Sequence, residues 1–326
     1  MRSFCRVLLL SVVVVLALGT IALAADSVQS QWDTSKHNIA NVDTKAEDAP
    51  VKRDNCLACH DGQGFAKNVV NRKDLPENVR GTLNSVDCAT CHGDRARSIV
   101  AADETPKLSN GLTVKGAGFG GVCITCHNGR KLPDAAKKPA PHRSPQSDVL
   151  YALVGVKVAG ASYPSSPHGA NPDTCASCHA AKLDGQANHT FQVVDKPEYV
   201  KEACGSCHPG LTKINRTALA DYDGDKVVEG IQDEVKGLLE GLEKAVEAKE
   251  KELGVTYGES HGAMAWTDAA KKEAKVPDAL YFARFNLALV EEDGSEGIHN
   301  PAYVVSLLQK SYKQLTGQDV PGATLR

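Results

Sequence analysis

The hydrophobic positions divide the chain into three unlike stretches. Val7 to Leu18 form a nearly unbroken apolar run. From about residue 25 to 215 no long periodic segment stands out. Gly, Pro, Asn, Asp and Lys recur there, which predicts loops and short helices. After about Arg216 the character changes. Val228, Ile231, Val235, Leu238, Leu242 and Ala245 step by three and four, the spacing of one helical face, and Gly254 is a fitting terminator. A second helix is expected from about Asp278 to Glu292, after Pro277. A third follows His299: Asn300 can cap it, Pro301 suits the first helical position, and Val305, Leu308, Tyr312 and Leu315 make its apolar stripe. The expected fold class is mainly α with extensive loops, in which the helices of 216–326 form a bundle or hairpin packed back onto the region before them.

The apolar run changes meaning with its surroundings. Arg2 and Arg6 precede it, and Ala22-Leu23-Ala24 is a small-x-small cleavage site before Ala25. Residues 1–24 therefore read as a secretory signal. The run is short for a membrane span, which needs about 20 residues, so no integral span is expected after cleavage. Cys5 would leave with the signal. The formal charge of −3 offers no basic excess for a nucleic-acid backbone. Aromatic residues are only 5% of 326, few for a chain of this length, so something other than aromatic side chains is expected to fill part of the core.

The remaining ten cysteines settle the chemistry. They fall into five copies of one pentapeptide: Cys56-Leu57-Ala58-Cys59-His60, Cys88-Ala89-Thr90-Cys91-His92, Cys123-Ile124-Thr125-Cys126-His127, Cys175-Ala176-Ser177-Cys178-His179 and Cys204-Gly205-Ser206-Cys207-His208. C-x-x-C-H is the signature of covalent haem c attachment. Its two thiols form thioethers with the haem vinyl groups, and the adjacent histidine reaches the iron. Zinc sites use paired C-x-x-C units and need no histidine directly after the second cysteine. Thioredoxin-like pairs belong in an α/β pattern, which is absent here. Iron–sulfur clusters need no such histidine. The copies begin at 56, 88, 123, 175 and 204, an irregular spacing unlike a solenoid of fixed period. Five haems would form the core of residues 25–215, and their removal should unfold that region, as loss of a structural metal does elsewhere.

Six further histidines remain: His37, His142, His168, His189, His261 and His299. A haem iron with two imidazoles is saturated and suited to electron transfer, whereas one with an open position can bind and reduce a small molecule. Five irons need five distal ligands and six candidates exist. Four of the six lie in loops of the motif region, outside the charged helical stretch where a surface histidine would be unremarked.

The chain resembles the large family of exported multihaem c-type cytochromes with repeated C-x-x-C-H motifs, which includes the ammonia-forming nitrite reductases and their electron-transfer relatives. The resemblance runs from about Trp32 to Tyr312. Trp32-Asp33-Thr34-Ser35-Lys36-His37, followed by Cys56–His60 and Asp61-Gly62-Gln63-Gly64-Phe65, looks like a family opening whose histidine is a distal ligand. Pro141-His142-Arg143-Ser144-Pro145-Gln146 is similar to a segment that supplies another. Ser166-Pro167-His168 before Cys175, and His189 between the last two motifs, follow the family's arrangement. Asp293-Gly294-Ser295-Glu296-Gly297-Ile298-His299-Asn300-Pro301-Ala302-Tyr303 is the strongest of these matches. In relatives that histidine caps a haem from the C-terminal helices. The resemblance thus implies His37, His142, His168, His189 and His299 as the distal set. His261, in Glu259-Ser260-His261-Gly262 between two expected helices, is the odd one out, as a loop or helix-start residue or a substitute for His142 or His37. Which distal histidine serves which haem stays open. His168, seven residues before Cys175, can cap a haem other than the one attached there.

The leading expectation is a periplasmic or extracellular electron carrier in anaerobic respiration, with five bis-histidine haems. Its partners would be a quinol-oxidising cytochrome, a periplasmic carrier or a terminal reductase. Two alternatives stand beside it. One is a reductase of nitrite, hydroxylamine or a sulfur oxyanion. Against it, such relatives carry a lysine in place of one motif histidine, and no C-x-x-C-K occurs here. The other is self-association into a cytochrome filament, with His37 reaching a neighbouring subunit.

Overall fold

The computed structural model describes residues 27–326 apart from 48, 194, 195 and 261. The expected signal segment 1–24, with Cys5, lies outside the described residues, and so does His261. The first two thirds are short helices strung on long loops: α1 (Val28–Thr34), α2 (Leu57–His60), α3 (Gly62–Lys67), α4 (Glu77–Arg80), α5 (Cys88–His92), α6 (Asp94–Ala102), α7 (Gly120–Ile124), α8 (Gln146–Leu150), α9 (Cys175–His179) and α10 (Pro197–Cys204). A minimal antiparallel pair, β1 (Lys182–Leu183) and β2 (Gln186–Ala187), interrupts them. Long helices come last: α11 (Ile231–Leu253), α12 (Asp278–Asp293) and α13 (Pro301–Thr316), with an antiparallel hairpin of β3 (Thr256–Ser260) and β4 (Ala263–Thr267) after α11. The architecture is mainly helical with extensive loops, as expected.

The C-terminal helices follow from their apolar stripes. Val235, Leu238, Leu242 and Val246 are buried along one face of α11, and the helix stops where Gly254 takes a left-handed φ of 65°, a conformation that costs glycine nothing. α12 is buried nearly all round, through Leu280, Tyr281, Phe285, Leu287 and Leu289, as befits a helix at the centre of a core. α13 packs Tyr303, Val304, Val305, Leu307 and Leu308 against both others. Asn300 caps it and Pro301 opens it. The core extends back to Ala140, Val149 and Val154, so the helices and the preceding region share it.

One expectation needs correction, and one element was not foreseen. Val228 is not part of α11. It is half exposed, at 50%, and the helix begins three residues later. The reason is the carboxylate of Glu234, which is buried in the first turn and accepts the backbone N–H groups of Tyr222 (2.6 Å), Asp223 (3.3 Å) and Glu229 (3.1 Å). Those bonds fold 221–229 into a loop around it. The β3–β4 hairpin was not expected. Its signal was the alternation that buries Met264 and Trp266 while exposing Ala265.

Buried Glu250 joins that hairpin to the bundle. It accepts from Trp266 Nε1 (2.9 Å) and pairs with Arg284 Nη2 through both oxygens, at 3.0 Å. The Arg284 guanidinium also lies 4.4 Å over the Tyr257 ring. Breaking a buried ion pair from one side costs about 3–5 kcal/mol. Glu250→Ala is therefore expected to lower the urea midpoint by an amount equivalent to about 3 kcal/mol. A midpoint unchanged from the parent would remove Glu250 from this account.

Candidate haem sites

Each C-x-x-C-H segment is one turn of helix. In the first, third and fifth, the histidine N–H bonds to the carbonyl of the first cysteine: His60 to Cys56 (3.0 Å), His127 to Cys123 (2.9 Å) and His208 to Cys204 (2.8 Å). The second and fourth are α5 and α9 themselves. Residues three apart on a helix share a face, so both thiols point the same way and the histidine closes the turn beside them. Local polar groups fix the turns. Asp87 and Thr90 form a capping box on α5. Fully buried Asp61, next to His60, accepts from Gln63 N and Gly64 N, both at 3.0 Å, to start α3. None of the ten motif cysteines is in a disulfide. Burial pushes the Cys91 and Cys178 thiols up to about 11.

Every motif histidine faces one of the five histidines from the expected distal set. Ring centroids are 6.3 Å apart for His60 and His142, 6.4 Å for His92 and His189, and 6.2 Å for His127 and His37. They are 6.1 Å apart for His179 and His299 and 6.3 Å for His208 and His168. A direct imidazole–imidazole hydrogen bond would need centroids about 5 Å apart. Two metal–imidazole bonds of about 2 Å each, lengthened by a ring radius at either end, span about 6 Å. The gaps thus suit a metal between the rings and are too wide for direct contact. His168 faces the fifth motif and not the nearby fourth, and each of the five partners comes from a segment remote from the motif it meets.

The outer nitrogens are largely occupied. Nδ1 of His127 meets Gln146 Oε1 (3.0 Å), and Nδ1 of His142 meets Arg143 O (2.6 Å). Nδ1 of His168 meets Ile298 O (2.8 Å), that of His179 meets Phe191 O (2.8 Å), and that of His189 meets Ala187 O (2.9 Å). His299 Nδ1 pairs with buried Asp293 Oδ1 at 2.6 Å. Such a bond to the outer nitrogen fixes the tautomer and aims the other nitrogen inward. His37 differs, since its Nδ1 is buried with no hydrogen-bond partner. Burial, then repulsion from His127, lowers the His37 pKa to about 4. Burial, then Arg130, lowers that of His60 to about 4. Both rings are held neutral, the form that binds metal. For His299, burial alone would push the pKa down, and Asp293 outweighs it so that the net shift is upward. Paired neutral imidazoles with paired thiols beside them are a donor set that fits haem c.

The motifs also touch one another. Cys59 Sγ lies 3.7 Å from Thr125 O, and Cys126 Sγ lies 4.0 Å from Ala58 O, joining the first motif to the third. A side chain at Gly120 would overlap Thr174 Oγ1, so glycine there lets α7, which leads into the third motif, lie against the start of the fourth. α9 packs on α10, which joins the fourth to the fifth. Phe191 links three sites. Its ring is 5.0 Å from His37 and 5.9 Å from His189, and its carbonyl takes His179. It holds a left-handed φ of 60°, which a bulky residue keeps only where its surroundings demand it. Sequence reasoning did not find Phe191, and it carries no motif. Asp293 and Gln146 were quoted in the resembling segments without a role.

Fold and site together are those of a multihaem c-type cytochrome, with residues that fit haem c as the cofactor. Within that class, residues 161–320 match the family model for cytochrome c552, a span holding the last two motifs, His168, His189, His299 and α11–α13. The outer cell wall cytochrome OcwA has a similar fold: its crystal structure aligns over 89% of this chain and 50% of its own, with 22% identity and a TM-score of 0.56. This chain thus spans half the length of that protein. The undecahaem cytochrome from the S-layer of Carboxydothermus ferrireducens aligns over 86% of this chain and 40% of its own, with 19% identity and a TM-score of 0.45. No curated protein sequence matches. Among the described residues, no helix is long and apolar enough to cross a membrane. Because thioethers survive denaturation, haem is expected to remain on the polypeptide through denaturing electrophoresis and to stain there. Extraction of all colour by acidified acetone would contradict covalent attachment.

Proposed function

We propose that the chain carries five haem c groups and relays electrons among them without bond-making chemistry of its own. The thioether positions are Cys56 and Cys59, Cys88 and Cys91, Cys123 and Cys126, Cys175 and Cys178, and Cys204 and Cys207. The irons would be held by His60 with His142, His92 with His189, His127 with His37, His179 with His299, and His208 with His168. The observation that carries this reading is the set of facing imidazoles, 6.1–6.4 Å between centroids in every pair.

Bound haem c supplies an iron that takes up and releases single electrons. The protein's part is to saturate each iron, keep the sites adjacent and tune each one. Saturation would leave no open position, which favours relay over reduction of nitrite, hydroxylamine or a sulfur oxyanion. Adjacency makes the third motif a junction, touched by the first and fourth directly and by the second through Phe191. Tuning differs from site to site: His299 is backed by a carboxylate, His168, His179 and His189 by carbonyls, and His37 by nothing. A charged acceptor raises ligand basicity and favours the oxidised metal. His37 meets His127 of its own chain, which favours a ligand set complete within one chain over a filament linked through His37.

A secretory signal in residues 1–24 and the likeness in fold to an outer cell wall cytochrome support a periplasmic or extracellular location, in anaerobic respiration. Electrons would pass between a quinol-oxidising cytochrome or periplasmic carrier and a terminal reductase.

Intact mass of the purified protein should exceed the polypeptide by five haems, and the ferrous form should take up no carbon monoxide. A smaller mass increment, or stoichiometric uptake by one haem, would overturn the reading. Asp293→Asn should raise the potential of one haem and leave the others in place, as followed by optical titration. A titration superimposable on the parent's would rule out that role for Asp293.

A further inference from the structure

His168 and His299 come from segments about 130 residues apart and face different motifs, His208 and His179. Between them lies Asn300, whose side chain is fully buried. Its Oδ1 accepts from Ser166 N at 2.8 Å and from Tyr303 N at 3.3 Å. Its Nδ2 donates to Leu150 O at 3.0 Å and to Ser165 Oγ at 2.9 Å. An amide side chain has two donor hydrogens and two acceptor lone pairs, and here all four are used. Only the bond to Tyr303 N is the helix cap foreseen from sequence. Of the other three, those to Ser166 N and Ser165 Oγ bind α13 to the loop that carries His168, and that to Leu150 O binds it to the end of α8.

The same two strips of chain meet twice more. Ala302 N donates to Ser166 Oγ at 3.3 Å, and His168 Nδ1 meets Ile298 O at 2.8 Å. Ile298 and Asn300 flank His299 in sequence. The carbonyl that aims one axial histidine therefore belongs to the backbone that presents the other. The two histidines are not equally dependent on this bridge. His299 has a second anchor in Asp293, whereas the outer nitrogen of His168 has Ile298 O alone.

We propose that Asn300 is a positioning residue that locks the axial histidines of two haem sites into one unit, with His168 relying on it more than His299. This rests on the bis-histidine reading given above. Loss of the bridge frees His168 to swing from its iron, while His299 stays ligated.

The test uses the full-length holoprotein. Asn300→Ser keeps a side-chain oxygen for the helix cap but is too short to span to Ser166 N, Ser165 and Leu150 O. Asn286→Ser is the control for general loosening. Asn286 is also a fully buried amide with three hydrogen bonds, to Val156 N, Val156 O and Ser311 Oγ, and it touches no axial histidine. Attached haem by intact mass should be unchanged in both variants. Carbon monoxide uptake by the ferrous form should rise from none to about one haem per chain in Asn300→Ser, with the spectrum seen for His168→Ala. It should stay at none in Asn286→Ser. If Asn300→Ser fails to accumulate, Ser165→Ala removes one arm of the bridge and should show fractional uptake with the same spectrum. No uptake in the Asn300 variant, or in Ser165→Ala where that variant stands in, overturns the proposal, and so does equal uptake in Asn286→Ser. Uptake already present in the parent protein would instead count against the bis-histidine reading.

Discussion

Everything in the first two thirds of the chain is arranged around a gap between two imidazoles. One ring of each pair is placed by a single helical turn, and the other arrives from far away. His142 reaches the first motif, His189 the second, His37 the third, His299 the fourth and His168 the fifth. These crossings tie together a region that has little else to hold it. Its side-chain clusters are small, such as Phe65, Ala96, Ile99 and Val122, or Val193, Tyr199 and Val200. A polypeptide so poor in apolar contacts does not offset its conformational entropy by packing alone. Metal bonds made on haem binding would supply that energy, which would make folding and cofactor attachment one process.

The C-terminal helices answer the opposite need. They build an ordinary core from Leu, Val, Tyr and Phe, and they hold His299 at the rigid start of α13. The rigidity is passed on. Through Asn300 and the carbonyl of Ile298, the start of α13 meets the loop that carries His168. The chain thus has a well-packed part that stabilises part of the cofactor-dependent one.

Much of this was legible in the sequence, for definite reasons. The C-x-x-C-H spacing is a local constraint, readable wherever it occurs. The helices near 278–293 and 301–316 announced themselves through Pro277, Asn300 and Pro301, residues whose chemistry marks boundaries. The five partner histidines came from the resemblance, and the structure brings each of them opposite a motif histidine. What sequence could not give was the pairing, because it depends on how loops cross and no local rule encodes that. Phe191 was invisible because no motif marks it and its contact with His37 is made across the fold. The start of α11 was misjudged because periodicity counted Val228 and could not see Glu234 collecting the backbone N–H groups of the preceding loop. The β3–β4 hairpin was overlooked because its period of two is short and lies between two stronger helical signals.

The central claim is that one iron sits between the two rings of each pair. Anomalous diffraction at the iron edge from crystals of the mature protein tests it most directly. Five peaks are predicted, one midway between the rings of each of the pairs named above. A peak with only one imidazole beside it, or a pair of facing histidines with none between them, would contradict the account.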